Sequence, residues 1–371
     1  MTQAAAQSPS QKSMILLSQM LLPLRNESTA NSPDRIELKR ELLNLSRAEY
    51  EDLAKLADSN HVIVRGLEMF LNLMREKGDA VRAEWAESAL AVEKTRIHTA
   101  MMFLHEICSA FEEHEYSVTV IKSLDHWPDL GSDLDIYTDA KPEDVFKLMS
   151  RRFSARVASQ SWGDRLAHKW NFHIPGLPEA VEVHIGRLGQ TGEQVSLASS
   201  LLERKRKVFV SGFTFPVPSN SDRLMISTLQ RMYRHFYFRL CDVVDTAALA
   251  DAGNIDYVDL CFLSQRSGIW EGVATYLAIV SDYVESYRGS GLDLPKFVTA
   301  YARFRGDEVY FGRGFLRVPI MPQSARLYGS QLAWVLANGE LHNGARLSLL
   351  PWLATAAVIG QKLTGSDKGI W

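Results

Sequence analysis

The stretch Gly131-Ser-Asp-Leu-Asp-Ile136 constrains the fold of this chain more than any other. Two carboxylates, Asp133 and Asp135, alternate with apolar residues directly after a turn-forming segment. Successive side chains of a β-strand point to opposite faces, so both carboxylates are predicted to lie on one face. Like charges this close repel each other unless a positive charge lies between them. Because oxygen ligands suit Mg²⁺, the stretch predicts one half of a magnesium site.

A third acid on a second strand is predicted to complete that site. In Val181-Glu-Val-His-Ile185, the apolar residues alternate with Glu182 and His184. A carboxylate among β-branched residues is costly unless it is paired or binds a metal. The alternative, a plain edge-strand position for Glu182, stays open.

The segment before the acid pair has the features of a phosphate-binding turn. An alternating, β-branched run from Tyr116 to Ile121 ends at Lys122-Ser123, and a turn follows from Asp125 to Gly131. Backbone N–H groups in such a turn bind anions. Lys122 is either a cation for a phosphate or a side chain extended into solvent from a strand end.

Hydrophobic periodicity predicts an α+β fold, with a small mixed sheet flanked by helices and helical regions at both ends of the chain. We divide the chain into a partly disordered segment (1–33), an N-terminal helical region (34–115), an α/β core (116–218) and a C-terminal helical domain (219–371).

Local signals place the individual elements. The spacing of Ser46 and Glu49 is that of a capping box, and an apolar stripe runs from Ala80 to Glu113. Strands are predicted at 116–121, 134–137, 169–174, 180–185 and 208–217. Helices of the C-terminal domain are predicted at 221–251, 256–266, 270–286, 293–303, 322–338 and 346–363. The Gly- and Arg-rich segment 306–319 interrupts them, and its part 306–314 is predicted to be a mobile lid or an ordinary loop.

Charge and cysteine content limit the partners and the compartment. The net charge of -3 and the pI of about 6.4 argue against a nucleic-acid partner. Three widely spaced cysteines indicate a reducing compartment, which we take to be the cytoplasm. The apolar segment Leu347–Ile359 carries Pro351 and is too short for a membrane span.

Together these motifs resemble those of the polymerase-β-like nucleotidyltransferase superfamily. Its members have an apolar strand ending in Gly-Ser or Gly-Gly, a short spacer, Asp-x-Asp, and a third acid on a later strand. Val120-Ile-Lys-Ser123, Ser132-Asp-Leu-Asp-Ile136 and Glu182 occur here in that order. The helical lead-in and the Glu-x-His at the third acid are similar to a bacterial nucleotidyltransferase-like branch. The chain departs from the pattern at Lys122-Ser123, which lacks the glycine that lets phosphate approach the backbone.

The resemblance implies transfer of a nucleoside monophosphate, with AMP as the first expectation, from an NTP to a small-molecule or peptide acceptor. Asp133, Asp135 and Glu182 would be the catalytic residues and would hold two Mg²⁺ ions, for which Mn²⁺ could substitute. The nucleotide-binding residues would be Lys122, Ser123, Ser132, His184, Arg231, His235 and Arg239.

Two other functions stay open. One is nucleotidylation of a partner protein, for which the helical flanks would provide a docking surface. The other is a non-catalytic module that binds a nucleotide or a partner, which the absent glycine favours.

The basic residues of the predicted helix 221–251 also have two interpretations. Arg231, His235, Arg239 and Asp242 share one face at helical spacing. That face either binds phosphate or an anionic acceptor, or forms a salt-bridge network between helices.

Overall fold

The computed structural model describes residues 8–22 and 33–353, together with residues 355, 356 and 359. The disorder predicted for 1–33 concerns mainly residues outside these ranges, and within them Pro9–Leu21 form helix α1. Leu16 and Leu17 of α1 are buried in the core of the N-terminal helices.

The N-terminal region is helical, as predicted. After α1 come α2 (Pro33–Leu43), α3 (Arg47–Ser59), α4 (Ile63–Lys77) and α5 (Ala80–Glu113). Ser46 and Glu49 form the predicted capping box at the start of α3. Gly78 ends α4 in the left-handed conformation, with a φ of 70°.

The α/β core contains a five-stranded mixed sheet. Its strands are β1 (Val118–Val120), β2 (Asp133–Thr138), β3 (Arg156–Val157), β4 (Lys169–His173) and β5 (Ala180–Ile185), in the spatial order β1-β2-β5-β4-β3. β2 and β5 run parallel, whereas the other neighbours are antiparallel. Helix α6 (Pro142–Phe153) follows β2, and α7 (Trp162–Ala167) follows β3. This architecture confirms the predicted α+β class.

Strand alternation gives the sheet one apolar face and one polar face. Leu134, Ile136, Val181 and Val183 have no exposed surface and share one hydrophobic core with residues of α5. Burying each such side chain contributes about 1.5–3 kcal/mol. A register slip of one residue would turn the acids of β2 and β5 into this core, so the apolar residues fix the orientation of the polar face.

The prediction of one continuous helix over 221–251 is wrong. After α8 (Val195–Glu203) and the predicted hairpin β6–β7 (Arg206–Val210 and Phe213–Val217), helix α9 spans Asn220–Thr228. A π-helical turn (Leu229–His235), strand β8 (Tyr237–Phe238) and helix α10 (Leu240–Asp251) follow.

Long-range pairing explains this break in the helix. Phe236 adopts a left-handed conformation, with a φ of 54°, and its carbonyl accepts a hydrogen bond from the N–H of Val318. Phe238 pairs with Leu316 in a second sheet. Backbone pairing to a distant segment therefore outweighs the local helical preference.

The C-terminal domain is largely helical. Its helices are α11 (Tyr257–Arg266), α12 (Trp270–Arg288), α13 (Lys296–Thr299), α14 (Ala325–Ala337) and α15 (Leu341–Leu347). The helices predicted at 256–266, 270–286 and 322–338 are confirmed. None of the helices in the described part of the chain combines the length and the apolar character that a membrane span requires.

Two helix predictions in this domain are wrong in extent. The helix predicted at 293–303 shortens to α13, because the chain turns back and the N–H of Arg303 donates to Thr275 Oγ1 (2.9 Å). The helix predicted at 346–363 begins instead within α15, which ends at Leu347. After a turn at 348–349, helical structure resumes at Leu350. Most of the predicted helix beyond residue 353 lies outside the described residues.

The segment 306–319 contains a β-hairpin, so the prediction of an ordinary loop is wrong, while the lid stays a prediction. Strands β9 (Tyr310–Gly312) and β10 (Phe315–Arg317) are joined by Arg313 and Gly314, both of which have positive φ. Two such central residues are typical of a type I′ turn. β10 lies between β9 and β8, so this hairpin holds the chain reversal at Phe236.

Candidate active site

The strands that carry the predicted acids are neighbours in the sheet. In the parallel register of β2 and β5, Asp135 is paired directly with Glu182. Both are buried, with 8% and 9% of their surface exposed. Asp133 lies two residues earlier at the exposed start of β2, on the same face.

Two lysine ammonium groups neutralise the paired acids. Lys122 contacts the carboxylate of Asp135 and lies 3.3 Å from Glu182 Oε1, while Lys169 lies 2.9 Å from Glu182 Oε2. Burial by itself would raise the pKa of Glu182, but Lys122, His184 and Lys169 together hold that pKa well below its usual value. Glu182 is therefore an anion at neutral pH.

His184 completes the group of donor atoms on this face. Its Nε2 lies 2.9 Å from Glu182 Oε1 and 3.8 Å from Asp135 Oδ1. Asp135, Glu182 and His184, which we call the acid cluster, offer ligand atoms that all lie within 4.8 Å of one another. The structure thus brings two of the three predicted metal ligands together with His184 and leaves Asp133 outside the cluster.

The position that departs from the superfamily pattern has a backbone conformation suited to glycine. Lys122 has a φ of 63°, in the left-handed region. A non-glycine residue there is strained by about 1–3 kcal/mol and persists only where its surroundings fix it. The contacts of the Lys122 ammonium group with Asp135 and Glu182 provide that restraint. The turn therefore keeps a conformation for which glycine is usual, while its side chain adds a cation.

Ser123 anchors the start of β2. Its Oγ accepts a hydrogen bond from the backbone N–H of Asp135 at 2.7 Å, and the residue is buried. This bond joins the turn after β1 to Asp135 of β2. The hydroxyl oxygen that was predicted to contact a phosphate is thus already used to position Asp135.

A cavity of about 210 Å³ opens over the acid face. Nine of the ten predicted site residues line it: Lys122, Ser123, Ser132, Asp133, Asp135, Glu182, Arg231, His235 and Arg239. The tenth, His184, lines an adjoining and more apolar pocket of about 60 Å³, which shares Lys122 and Arg234 with the cavity.

The arginines at the cavity divide into one paired and two unpaired groups. Arg231 is buried 2.7 Å from Asp242 Oδ2, so the salt-bridge interpretation is confirmed for this residue. No carboxylate of the described chain lies within salt-bridge distance of Arg234 or Arg239. Burial and these arginines hold the pKa of His235 well below its usual value, so His235 is neutral. Unpaired guanidinium groups at a cavity are suited to bind phosphate.

Several side chains at this site were missed by sequence analysis. Lys169 lies opposite His184 in the β4–β5 register, and counting back from the hairpin turn could have placed it there. Arg234 reaches the cavity through the π-helical turn, which no local signal predicted. His61 and His126 also line the cavity and come from distant segments.

The acid cluster has a donor set that fits a divalent cation. Carboxylates suit Mg²⁺ and Mn²⁺, and an imidazole is an additional ligand for transition metals. His184 Nδ1 is buried without a hydrogen-bond partner. The Lys122 ammonium group lies against the same carboxylates, so a metal ion at this position requires that side chain to turn into the cavity.

No family model matches the chain, and no curated protein is similar enough to count as a relative. The superfamily resemblance therefore stays a prediction that rests on the motifs and on the geometry of this site.

Proposed function

We propose that this chain is a metal-dependent nucleotidyltransferase. It would move a nucleoside monophosphate, with AMP expected first, from an NTP to a hydroxyl or similar group of a small-molecule or peptide acceptor. The observation that carries this proposal is the direct pairing of Asp135 with Glu182 beside a cavity that also holds unpaired guanidinium groups. This arrangement supports the proposal because a metal-bound triphosphate would need both anionic and cationic groups.

The residues have distinct roles in this proposal. Asp135 and Glu182, with Asp133 at the exposed start of β2, would hold the expected pair of Mg²⁺ ions. These ions would supply positive charge that offsets the charge of the phosphate oxygens. Arg234 and Arg239 would bind phosphate oxygens of the NTP through charge-assisted hydrogen bonds.

The transfer itself forms one bond and breaks another. The acceptor oxygen bonds to the α-phosphorus, the bond from that phosphorus to the bridging oxygen breaks, and pyrophosphate leaves. The low pKa of Glu182 makes it a weak base, so we assign the acceptor proton to water rather than to Glu182. Lys122 would offset charge on the departing pyrophosphate.

The test combines binding and turnover in the full-length protein. Each of the four NTPs is added with Mg²⁺, and thermal stabilisation and pyrophosphate release are measured. Asp135→Asn and Glu182→Gln are expected to abolish the release, whereas Asp139→Asn, an exposed acid just beyond β2, should leave it unchanged. If both cluster variants release pyrophosphate at the wild-type rate, the enzymatic proposal is wrong. Transfer of label to a protein in a lysate would instead identify protein nucleotidylation.

A second candidate function is a non-catalytic nucleotide-binding module. It is favoured by the contact of Lys122 with both acids, which already supplies the positive charge that a metal ion would bring. This candidate predicts stabilisation by an NTP without Mg²⁺, no pyrophosphate release, and unchanged binding in Asp135→Asn. A strict requirement for Mg²⁺ in binding would contradict it.

A further inference from the structure

A second group of metal-binding side chains borders the same cavity. His61 lies between α3 and α4, His126 lies in the turn after β1, and Cys241 lies in the first turn of α10. Their ligand atoms all lie within 4.8 Å of one another. We call these three residues the histidine–cysteine cluster. Imidazole and thiolate donors are softer than carboxylates and select zinc-like ions over magnesium.

The best-defined pair in this cluster already has the spacing of two ligands on one ion. Cys241 Sγ lies 3.6 Å from His126 Nε2. Zn–S and Zn–N bonds of about 2.3 and about 2.0–2.1 Å at a tetrahedral angle separate the two ligand atoms by about 3.5 Å. A zinc ion would therefore fit between them with little movement of either side chain.

A carboxylate orients the imidazole of His126. Asp245, four residues after Cys241 on α10, lies with its Oδ2 2.6 Å from His126 Nδ1, which leaves Nε2 facing the sulfur. Such a carboxylate on the far nitrogen is the usual outer partner of a metal-binding histidine. Asp245 is itself held by Arg65, whose guanidinium group also pairs with buried Asp129.

His61 supplies the third donor, and the cavity supplies access. His61 Nδ1 is buried and has no hydrogen-bond partner. His61 and His126 line the cavity, whereas Cys241 is fully buried behind them. This burial argues against a nucleophilic role for the thiol, since an attacking sulfur must reach its substrate. It is compatible with a ligand role, in which the sulfur faces only the ion.

We propose that His61, His126 and Cys241 bind one zinc ion through two imidazole nitrogens and a thiolate. The thiol proton of Cys241 and the Nε2 proton of His126 are both released to solvent on binding, and the fourth position faces the cavity. The ion would join the α3–α4 turn, the β1–β2 turn and α10. Because the β1–β2 turn begins with Lys122 and Ser123, zinc would rigidify the residues that contact the acid pair. The zinc site stands independently of nucleotidyl transfer.

The experiment uses Co²⁺ as a spectroscopic substitute for Zn²⁺ in chelator-treated, full-length protein. Thiolate coordination produces intense near-ultraviolet absorption that carboxylate sites do not give. We expect one Co²⁺ per chain with this absorption, its loss when Zn²⁺ is added, and a higher unfolding temperature with either metal. Absence of the thiolate absorption in the wild-type protein would overturn the proposal.

Variants separate this site from other cysteines and from the acid cluster. Cys241→Ser should lose the thiolate absorption, whereas Cys108→Ser, a buried thiol on α5, should keep it. Glu182→Gln should also keep it, which separates this result from the test of nucleotidyl transfer. His61→Gln covers the case in which Cys241→Ser does not fold, and it should weaken Zn²⁺ binding by at least about 10–100-fold. Equal absorption in Cys241→Ser and Cys108→Ser would contradict the assignment.

Discussion

The two clusters at the cavity differ in where their residues come from and in how their charges are balanced. The acid cluster is formed by facing residues of adjacent strands, and its charges are balanced by Lys122 and Lys169. The histidine–cysteine cluster comes from three separated segments, and one carboxylate outside it, Asp245, contacts His126 and is paired with Arg65. Lysine side chains therefore balance the charge of the acid cluster. In the histidine–cysteine cluster, the free energy of unfolding depends on whether the buried His61 is protonated.

This difference explains how each cluster is tolerated in a buried position. A buried carboxylate is expensive unless cations and hydrogen bonds compensate it, and the lysines provide that compensation. A neutral imidazole needs no counter-ion but resists protonation when it is buried. Removing charge should therefore damage the acid cluster, whereas protonating the buried, neutral imidazole of His61 should damage the histidine–cysteine cluster.

The largest effect on stability is expected for Glu182→Gln. This change leaves Lys169 and Lys122 without one of their carboxylate partners in a buried site, which costs about 3–5 kcal/mol of unfolding free energy. Denaturant unfolding measures the loss. Asp139→Asn, an exposed acid, should change the unfolding free energy by less than about 0.5 kcal/mol. Equal effects of the two variants would mean that the lysines do not depend on Glu182.

Lowering the pH should destabilise the fold through His61 of the histidine–cysteine cluster. Burial, followed by the charges of Arg239 and His126, lowers the pKa of His61 to about 2 from a usual value of 6.5. Below pH 6.5, His61 therefore binds a proton in the unfolded chain but not in the folded chain. Stability is unaffected by His61 above pH 6.5 and falls as the pH drops, by about 2 kcal/mol between pH 6.5 and pH 5.

The pH dependence is measured by denaturant unfolding of chelator-treated protein. His61→Gln should remove this part of the slope, while the contribution of the carboxylates stays common to both proteins. His126 does not mimic the effect, because His126 has a pKa well above its usual value and contributes a loss of stability only as the pH rises. Parallel profiles of the wild type and His61→Gln would show that His61 is protonated in the fold.

A smaller loss is expected at the junction between β1 and the acid pair. Ser123→Ala removes the acceptor for the buried N–H of Asp135 and should cost about 1–3 kcal/mol. Ser132→Ala, at an exposed position nine residues later, serves as the control and should be nearly neutral. Thermal unfolding compares the two, and a neutral Ser123→Ala would indicate that water replaces the hydroxyl.

The smallest effect on stability should come from the unpaired arginines. Arg234→Gln should change the unfolding free energy by less than about 0.5 kcal/mol, while weakening NTP binding by about tenfold through one lost charge-assisted hydrogen bond. Isothermal titration with ATP measures the binding. Arg231→Gln provides the contrast, because it removes the guanidinium partner of buried Asp242 and should destabilise the fold.

The local pattern was sufficient to predict most elements and the polar face of the sheet. Alternation in Leu134-Asp-Ile and Val181-Glu-Val separates apolar from charged residues, and only one register keeps the former buried. The capping box at Ser46 and the left-handed Gly78 depend on residues within a few positions of each other, so they too were readable.

Long-range contacts decided what the sequence did not determine. The break at Phe236 depends on pairing with the hairpin near Leu316, and that break brings Arg234 to the cavity. Likewise, Cys241 meets His126 only because α10 packs beside the β1–β2 turn.

The sequence by itself thus determined which residues could carry charge on the sheet, because strand periodicity is local. Only the tertiary structure decided which cations neutralise the acids and which soft donors converge. Those pairings join segments far apart in the chain, and their spacing follows from the packing of the core rather than from any local preference.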